Sequence, residues 1–185
     1  MINMHSKYKT KIVRSEADIP SDLLNTPFSD LLMYQNLKSP QKKYEKAQIA
    51  IVMCMDNRKQ LEIPGRFAFI LRTAGARITG SEFKLSFVIG FGDIKYVALI
   101  AHTNCGMVDL SSKKEKVVEG LIKNAGWSKE QAENHFQSFA PFFEIENEID
   151  FIVSESNRLK EKYPKIFFVP MLYDIEDSKL HLIES

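Results

Sequence analysis

Cys54 and Cys105 are the only two cysteines of this 185-residue chain, and each sits in a short run of reactive residues. Cys54-Met55-Asp56-Asn57-Arg58 follows one apolar stretch, and His102-Thr103-Asn104-Cys105-Gly106 follows another. Two thiolates and an imidazole form a donor set that suits zinc. His102 and Cys105 lie three positions apart across a turn, near enough to chelate one ion. Three protein donors leave a tetrahedral fourth position for water, as in a catalytic rather than a closed structural site. Asp56 either fills that position or accepts a hydrogen bond from the bound water. Arg58, two residues on, points the same way in an extended segment and can hold Asp56 in a bidentate ion pair. Two thiolates cancel the charge of a dication, so such a metal acidifies its water less than a three-histidine site does. An anionic acceptor at Asp56 compensates by orienting the nucleophile.

Blander readings stand beside this one. The two cysteines can be inert buried thiols, or a single disulfide if the protein is secreted. Asp56 can close a structural zinc site, and Asp56–Arg58 alone can be a sheet-edge ion pair. His5, His135 and His181 read as surface or core residues. Gly90-Phe91-Gly92 covers only part of a dinucleotide fingerprint and ends a helix instead of starting one. Lys113–Lys116 reads as a solvated helix start, and the phenylalanines around Pro141 as core or subunit interface.

The elements that bring these residues together are short apolar runs alternating with helical stretches. Gln48–Met53, Phe67–Leu71 and Tyr96–Ala101 read as buried strands, and Lys165–Met171 as a fourth strand. Helices are expected over Glu82 to about Phe91, Lys113–Asn124, from Ser128 to an interruption at Pro141, and about Phe143 to Lys162. Leu180–Ile183 reads as a terminal hairpin or edge strand. Strands apolar on both faces and joined through helices imply an α/β fold, a central mostly parallel sheet covered on both sides. The link from Asn57 to Arg66 is short for a crossover helix. In such a sheet ligands bind beyond the carboxyl ends of the strands, where both cysteines, His102 and the Asp56/Arg58 pair arrive. Residues 1–46 form an N-terminal arm, with a helix capped by Ser21 or Asp22 and no core of its own. It must pack on the rest of the chain or on a partner, and a two-fold interface is expected. Residues 47–185 form the zinc-binding core of what reads as one domain.

Apolar residues make up 44% of the chain and charged residues 26%, with a net charge of +1. That balance is globular, and it points to neither nucleic acid nor an anionic membrane as partner. No apolar run approaches the ~20 residues that cross a bilayer, and the polar start lacks a secretory h-region. A cytoplasmic location is therefore expected.

Cys54-x-Asp56-x-Arg58 together with His102-x-x-Cys105-Gly106 resembles the paired signature of the β-class carbonic anhydrases. Arg72-Thr73-Ala74-Gly75 is similar to that family's Arg-Asn-Ala-Gly turn, and Val169–Leu182 to its closing hairpin with a Tyr-Asp pair. The resemblance covers roughly residues 48–183 in the same order. It implies a zinc site of Cys54, His102 and Cys105, a catalytic dyad of Asp56 and Arg58, and reversible hydration of CO2 to bicarbonate and a proton. It also implies a homodimer or higher oligomer with N-terminal helices embracing the neighbour. Asn104 stands where the family usually has Asp, and Thr73 where it usually has Asn. Ile51 lies where one branch carries a tryptophan of a regulatory bicarbonate site, so that regulation is not expected. Hydrolysis of COS or CS2 on the same site, and a non-catalytic zinc scaffold, are the alternatives.

Overall fold

In the computed structural model, which describes residues 6–184, six strands form one mixed sheet flanked by five helices. His5 lies outside the described residues. The strands are β1 (Lys9–Ile12), β2 (Ile49–Cys54), β3 (Ala68–Thr73), β4 (Tyr96–His102), β5 (Phe167–Asp174) and β6 (Lys179–Glu184), in the order β1-β6-β5-β4-β2-β3. The four strands β3, β2, β4 and β5 run parallel, β6 pairs antiparallel with β5, and β1 pairs antiparallel with β6. The helices are α1 (Pro27–Leu37), α2 (Phe83–Gly92), α3 (Lys114–Ala125), α4 (Lys129–Phe143) and α5 (Glu148–Lys162).

The apolar run of β2 is continuous because both of its faces are covered. Ile49, Ile51 and Met53 point to one side with Ala98 and Ile100 of β4 and meet Phe28, Leu31 and Leu32 of α1. Ala50 and Val52 point to the other side with Val97 and Leu99 and meet Leu85 of α2 and Ile149 and Ile152 of α5. Fully burying each such aliphatic side chain contributes about 1.5–3 kcal/mol before entropy is subtracted. This two-sided cover holds the ends of β2 and β4 rigid where the chemistry sits.

Several boundaries differ from the sequence reading. Helix α1 starts after Ser21 and Asp22. Asn25 is left-handed, at φ 59, and Thr26 caps the helix by accepting from the Phe28 amide, with Pro27 in the first turn. Pro141 does not end its helix. It lies in the last turn of α4, where only one carbonyl loses its donor, and Glu144 N still reaches Ala140 O at 2.9 Å. Helix α5 starts only at Glu148, because Ile145 is drawn extended onto Met107 (N···O 3.0 Å) and Asn147 then caps by accepting from the amides of Ile149 and Asp150. Strand β3 is not a buried strand. It is the sheet edge, and its Ile70 is 44% exposed.

The terminal hairpin is observed, but β1 covers its outer side. The arm packs on its own chain, since Phe28, Leu31 and Leu32 are fully buried against the sheet. The Asn36 side chain fastens it: Nδ2 donates to Leu180 O (2.7 Å) and Val13 O (3.2 Å), and Oδ1 accepts from Leu180 N (2.8 Å). The apolar face expected at a two-fold interface is thus used within the chain. The link over residues 55–67 carries no helix. It crosses the α1 side in extended form, with Leu61 and Ile63 against the core.

Candidate metal centre

Strand pairing brings the reactive residues together. Met53 of β2 pairs with Ile100 of β4, so Cys54 and His102 leave the sheet side by side at its carboxyl edge, and Cys105 returns in the turn that follows. Left-handed Asn104, at φ 56, makes that turn. Nε2 of His102 or its partner nitrogen and the two sulfurs all lie within 4.8 Å of one another, and all three residues are buried. Both cysteines are free thiols.

The environment of each donor fits a cation. His102 Nδ1 lies 3.0 Å from Thr103 O, and because a carbonyl only accepts, Nδ1 carries the proton. Nε2 is left as a lone pair facing inward. It is buried and has no hydrogen-bond partner among the described residues, a state that a metal ion would satisfy. Gly75 N donates to Cys54 Sγ at 3.3 Å. Gly75 has φ +62, and a Cβ there would stand 3.4 Å from Met107, so the amide reaches the sulfur most easily in a glycine. Hydrogen bonding from the Cys105 thiol lowers the Cys54 pKa against the opposing effect of burial. The neighbouring thiolate and burial raise that of Cys105. Without a metal the two sulfurs therefore share one proton, and a dication at their centre would release it.

Asp56 is not in the donor cluster. Arg58 holds it through Nε at 3.0 and 3.2 Å and Nη2 at 2.7 Å, while the Arg58 amide adds a fourth bond at 2.9 Å. These contacts keep the carboxyl well below the usual carboxylate range. Arg58 Nη2 also donates to Asn104 O at 2.8 Å, which ties the dyad to the histidine–cysteine turn.

Four further residues support the site, none of which the sequence reading gave a role in it. Arg72 spans the carbonyls of Cys54, Asp56 and Lys59. Buried Glu148 accepts from Cys105 N at 3.0 Å. Lys113 is no solvated helix start, for its Nζ donates to Gly106 O and Val108 O and braces the turn. Lys59 is 2% exposed. Its burial had a signal: Lys59, Leu61 and Ile63 alternate with exposed Gln60 and Glu62, so the lysine continues an apolar row.

An open, mainly apolar groove of about 1060 Å³ lies beside the centre, lined by Met55 and Thr73, by Met107, and by Phe139 and Phe142 of α4. Met107 also packs on the two cysteines. His135 lies on the groove rim and is exposed. A second cluster, Asp174, Asp177 and His181, sits on the β5–β6 turn. Its carboxylates accept from Thr103, Glu176 and Lys179 and shape the turn.

No protein-family model matches the chain, and no curated protein matches it. Solved structures do. It is similar to the β-carbonic anhydrase isoform I of Trichomonas vaginalis at 20% identity and a TM-score of 0.61, over 88% of this chain and 96% of that one. The carbonic anhydrase of Glaciozyma antarctica follows at 20% identity and 0.59, over 88% and 98%. A carbon disulfide hydrolase gives 19% and 0.53, over 83% and 84%. With its six-stranded, mostly parallel sheet and flanking helices, this chain has the fold of the β-class carbonic anhydrases.

Proposed function

We propose that the protein is a zinc-dependent carbonic anhydrase, with Cys54, His102 and Cys105 holding the metal and Asp56 and Arg58 as the catalytic dyad. The observation that carries this reading is the buried three-donor cluster with an arginine-pinned carboxylate beside its unpartnered imidazole nitrogen. Zinc held there would supply the Lewis acidity that activates water as a nucleophile. Asp56 accepts the hydrogen bond of the attacking water and so aims its lone pair at CO2. Arg58 engages both carboxylate oxygens and keeps Asp56 from turning onto the donors. The apolar groove admits an uncharged substrate and limits competing water. Stopped-flow CO2 hydration on metal-quantified protein tests the proposal, and zinc-loaded protein without activity at any pH would refute it.

The same groove gives a second reading some footing, since COS and CS2 are also small and apolar. Side-by-side turnover of CO2, COS and CS2 separates the two. Zinc bound at one per chain with no hydration activity at any pH would favour the non-catalytic scaffold instead. We further read the chain as one domain of a homodimer or larger assembly. Phe83 and Phe91 of α2 are 79% and 80% exposed, with exposed Phe87 stacked on Phe91, an apolar face suited to a second copy. Two free thiols fit a reducing cytoplasm.

A further inference from the structure

Lys59 is a buried cation without a hydrogen-bond partner among the described residues, and its side chain is almost wholly removed from solvent. The charged groups acting on it are the sulfurs of Cys54 and Cys105, the Arg72 guanidinium and the Asp56 carboxylate. Its chain position explains this placement. Arg72 holds the Lys59 carbonyl, Tyr173 holds that of Gln60, and the row continuing through Leu61 and Ile63 turns the lysine inward at the carboxyl edge of the sheet. A structural role does not account for such a residue, because an unpaired buried ammonium is costly and an apolar side chain would fill the same volume without that cost.

The formal charges show what the lysine adds. The sulfurs of Cys54 and Cys105 and the Asp56 carboxylate face the guanidinium groups of Arg58 and Arg72 and the dication that the sulfurs would hold, and Lys59 adds one further positive charge to that centre. We propose that Lys59 is a positioning residue whose charge makes the metal-loaded centre an acceptor for a small anion, bicarbonate or an equivalent oxyanion or pseudohalide. The inference rests on the metal-centre reading above. Burial draws the Lys59 pKa down to about 8 in the metal-free protein, against the pull of the neighbouring sulfurs. Lys59 acts through space across a water-poor site, so the anion need not displace it.

The test measures binding of bicarbonate and of thiocyanate to metal-loaded wild type, Lys59→Met and Lys59→Arg by calorimetry at neutral pH and fixed ionic strength, with metal content determined for each. Lys59→Met should weaken both anions about tenfold, the scale of one charge at this range and effective dielectric, and Lys59→Arg should stay close to wild type. Equal affinity in wild type and Lys59→Met at full metal content overturns the proposal. The melting temperature of the metal-free proteins is a second readout. Lys59→Met should melt higher than wild type, whereas a merely structural lysine would lower it on removal. If the variant fails to fold, the proposal is tested on wild type with isotope-labelled lysine. The Lys59 side-chain nitrogen resonance should move when bicarbonate is added to the loaded protein, and a stationary resonance overturns the proposal. Lysine-dependent anion binding without CO2 hydration would sink the anhydrase reading alone, while hydration with lysine-independent anion binding would sink this one alone.

Discussion

Oδ2 of Asp56 stands 4.0 Å from Nε2 of His102, beside the lone pair that faces the donor cluster yet outside the cluster itself. The carboxylate is held there by Arg58 and not by the histidine. Asp56→Asn keeps the shape and removes the anionic acceptor, so zinc should remain bound while hydration falls by about 10²–10⁴-fold. Arg58→Ala should also impair turnover, because the freed carboxylate can turn onto the metal and exclude water, and this defect should ease partly as pH rises. Stopped-flow profiles of the two variants would separate the roles, and wild-type rates in zinc-loaded Asp56→Asn would reduce the dyad to an ordinary ion pair.

Metal retention tests the donor set directly. Cys54→Ser or Cys105→Ser puts a hard hydroxyl where a thiolate stood and should lose most of the zinc that wild type holds at about one per chain. Elemental analysis after dialysis against a weak chelator is the measurement. Full retention in both variants would remove these residues from the centre.

Asn36 gives a stability prediction remote from the chemistry. Asn36→Ala leaves the buried Leu180 amide and two carbonyls without their partner and should destabilise the fold by about 1–3 kcal/mol. Urea denaturation monitored by circular dichroism reads this. An unchanged midpoint would mean that the arm is not fastened there.

The exposed face of α2 predicts association. Wild type should sediment as a dimer or larger, and the double substitution Phe83→Asp, Phe91→Asp should shift it toward monomer without loss of secondary structure. A wild-type protein that is monomeric at micromolar concentration would contradict the assembly proposed above.

Lys59 carries a pH prediction with a definite sign. Its folded pKa of about 8 lies below the ~10.4 of an unfolded lysine. Between these values the unfolded chain binds more protons, so this group makes the fold more stable as pH rises through that window. The stability advantage of metal-free Lys59→Met over wild type should therefore be largest below pH ~8, on the order of 3 kcal/mol or less, and vanish above pH ~10.4. Chemical denaturation of both proteins across that range checks it. An advantage that grows with pH would contradict the buried ammonium described here.

How much of this was legible in the sequence follows from which physical signals are local. Ile49–Cys54 and Tyr96–His102 are apolar on both faces, and that pattern marks interior parallel strands with little ambiguity, so the convergence of Cys54, His102 and Cys105 could be read from the residues. Strand β1 was missed because Lys-Thr-Lys-Ile alternates lysine with half-buried positions, the guise of an exposed edge. Phe67–Leu71 looked as apolar as β2, but whether a strand is central or marginal depends on its neighbours, which periodicity does not encode. Pro141 was read as a break because its position relative to the helix end was unknown. Lys59 and Glu148 were passed over because a charged residue is ordinarily solvated, and only the tertiary arrangement places one beside two sulfurs.

The amide of Asn36 joins segments 144 positions apart in the chain, and among the described strands β1 pairs only with β6, the sixth in chain order. During synthesis β1 and the Asn36 side chain therefore wait for their partners until β6 has been made, although the apolar face of α1 can already pack on β2 and β4. Closure of the sheet is a late event of high contact order, and the waiting arm is the segment most in need of chaperone cover or of a neighbouring chain to hold it meanwhile.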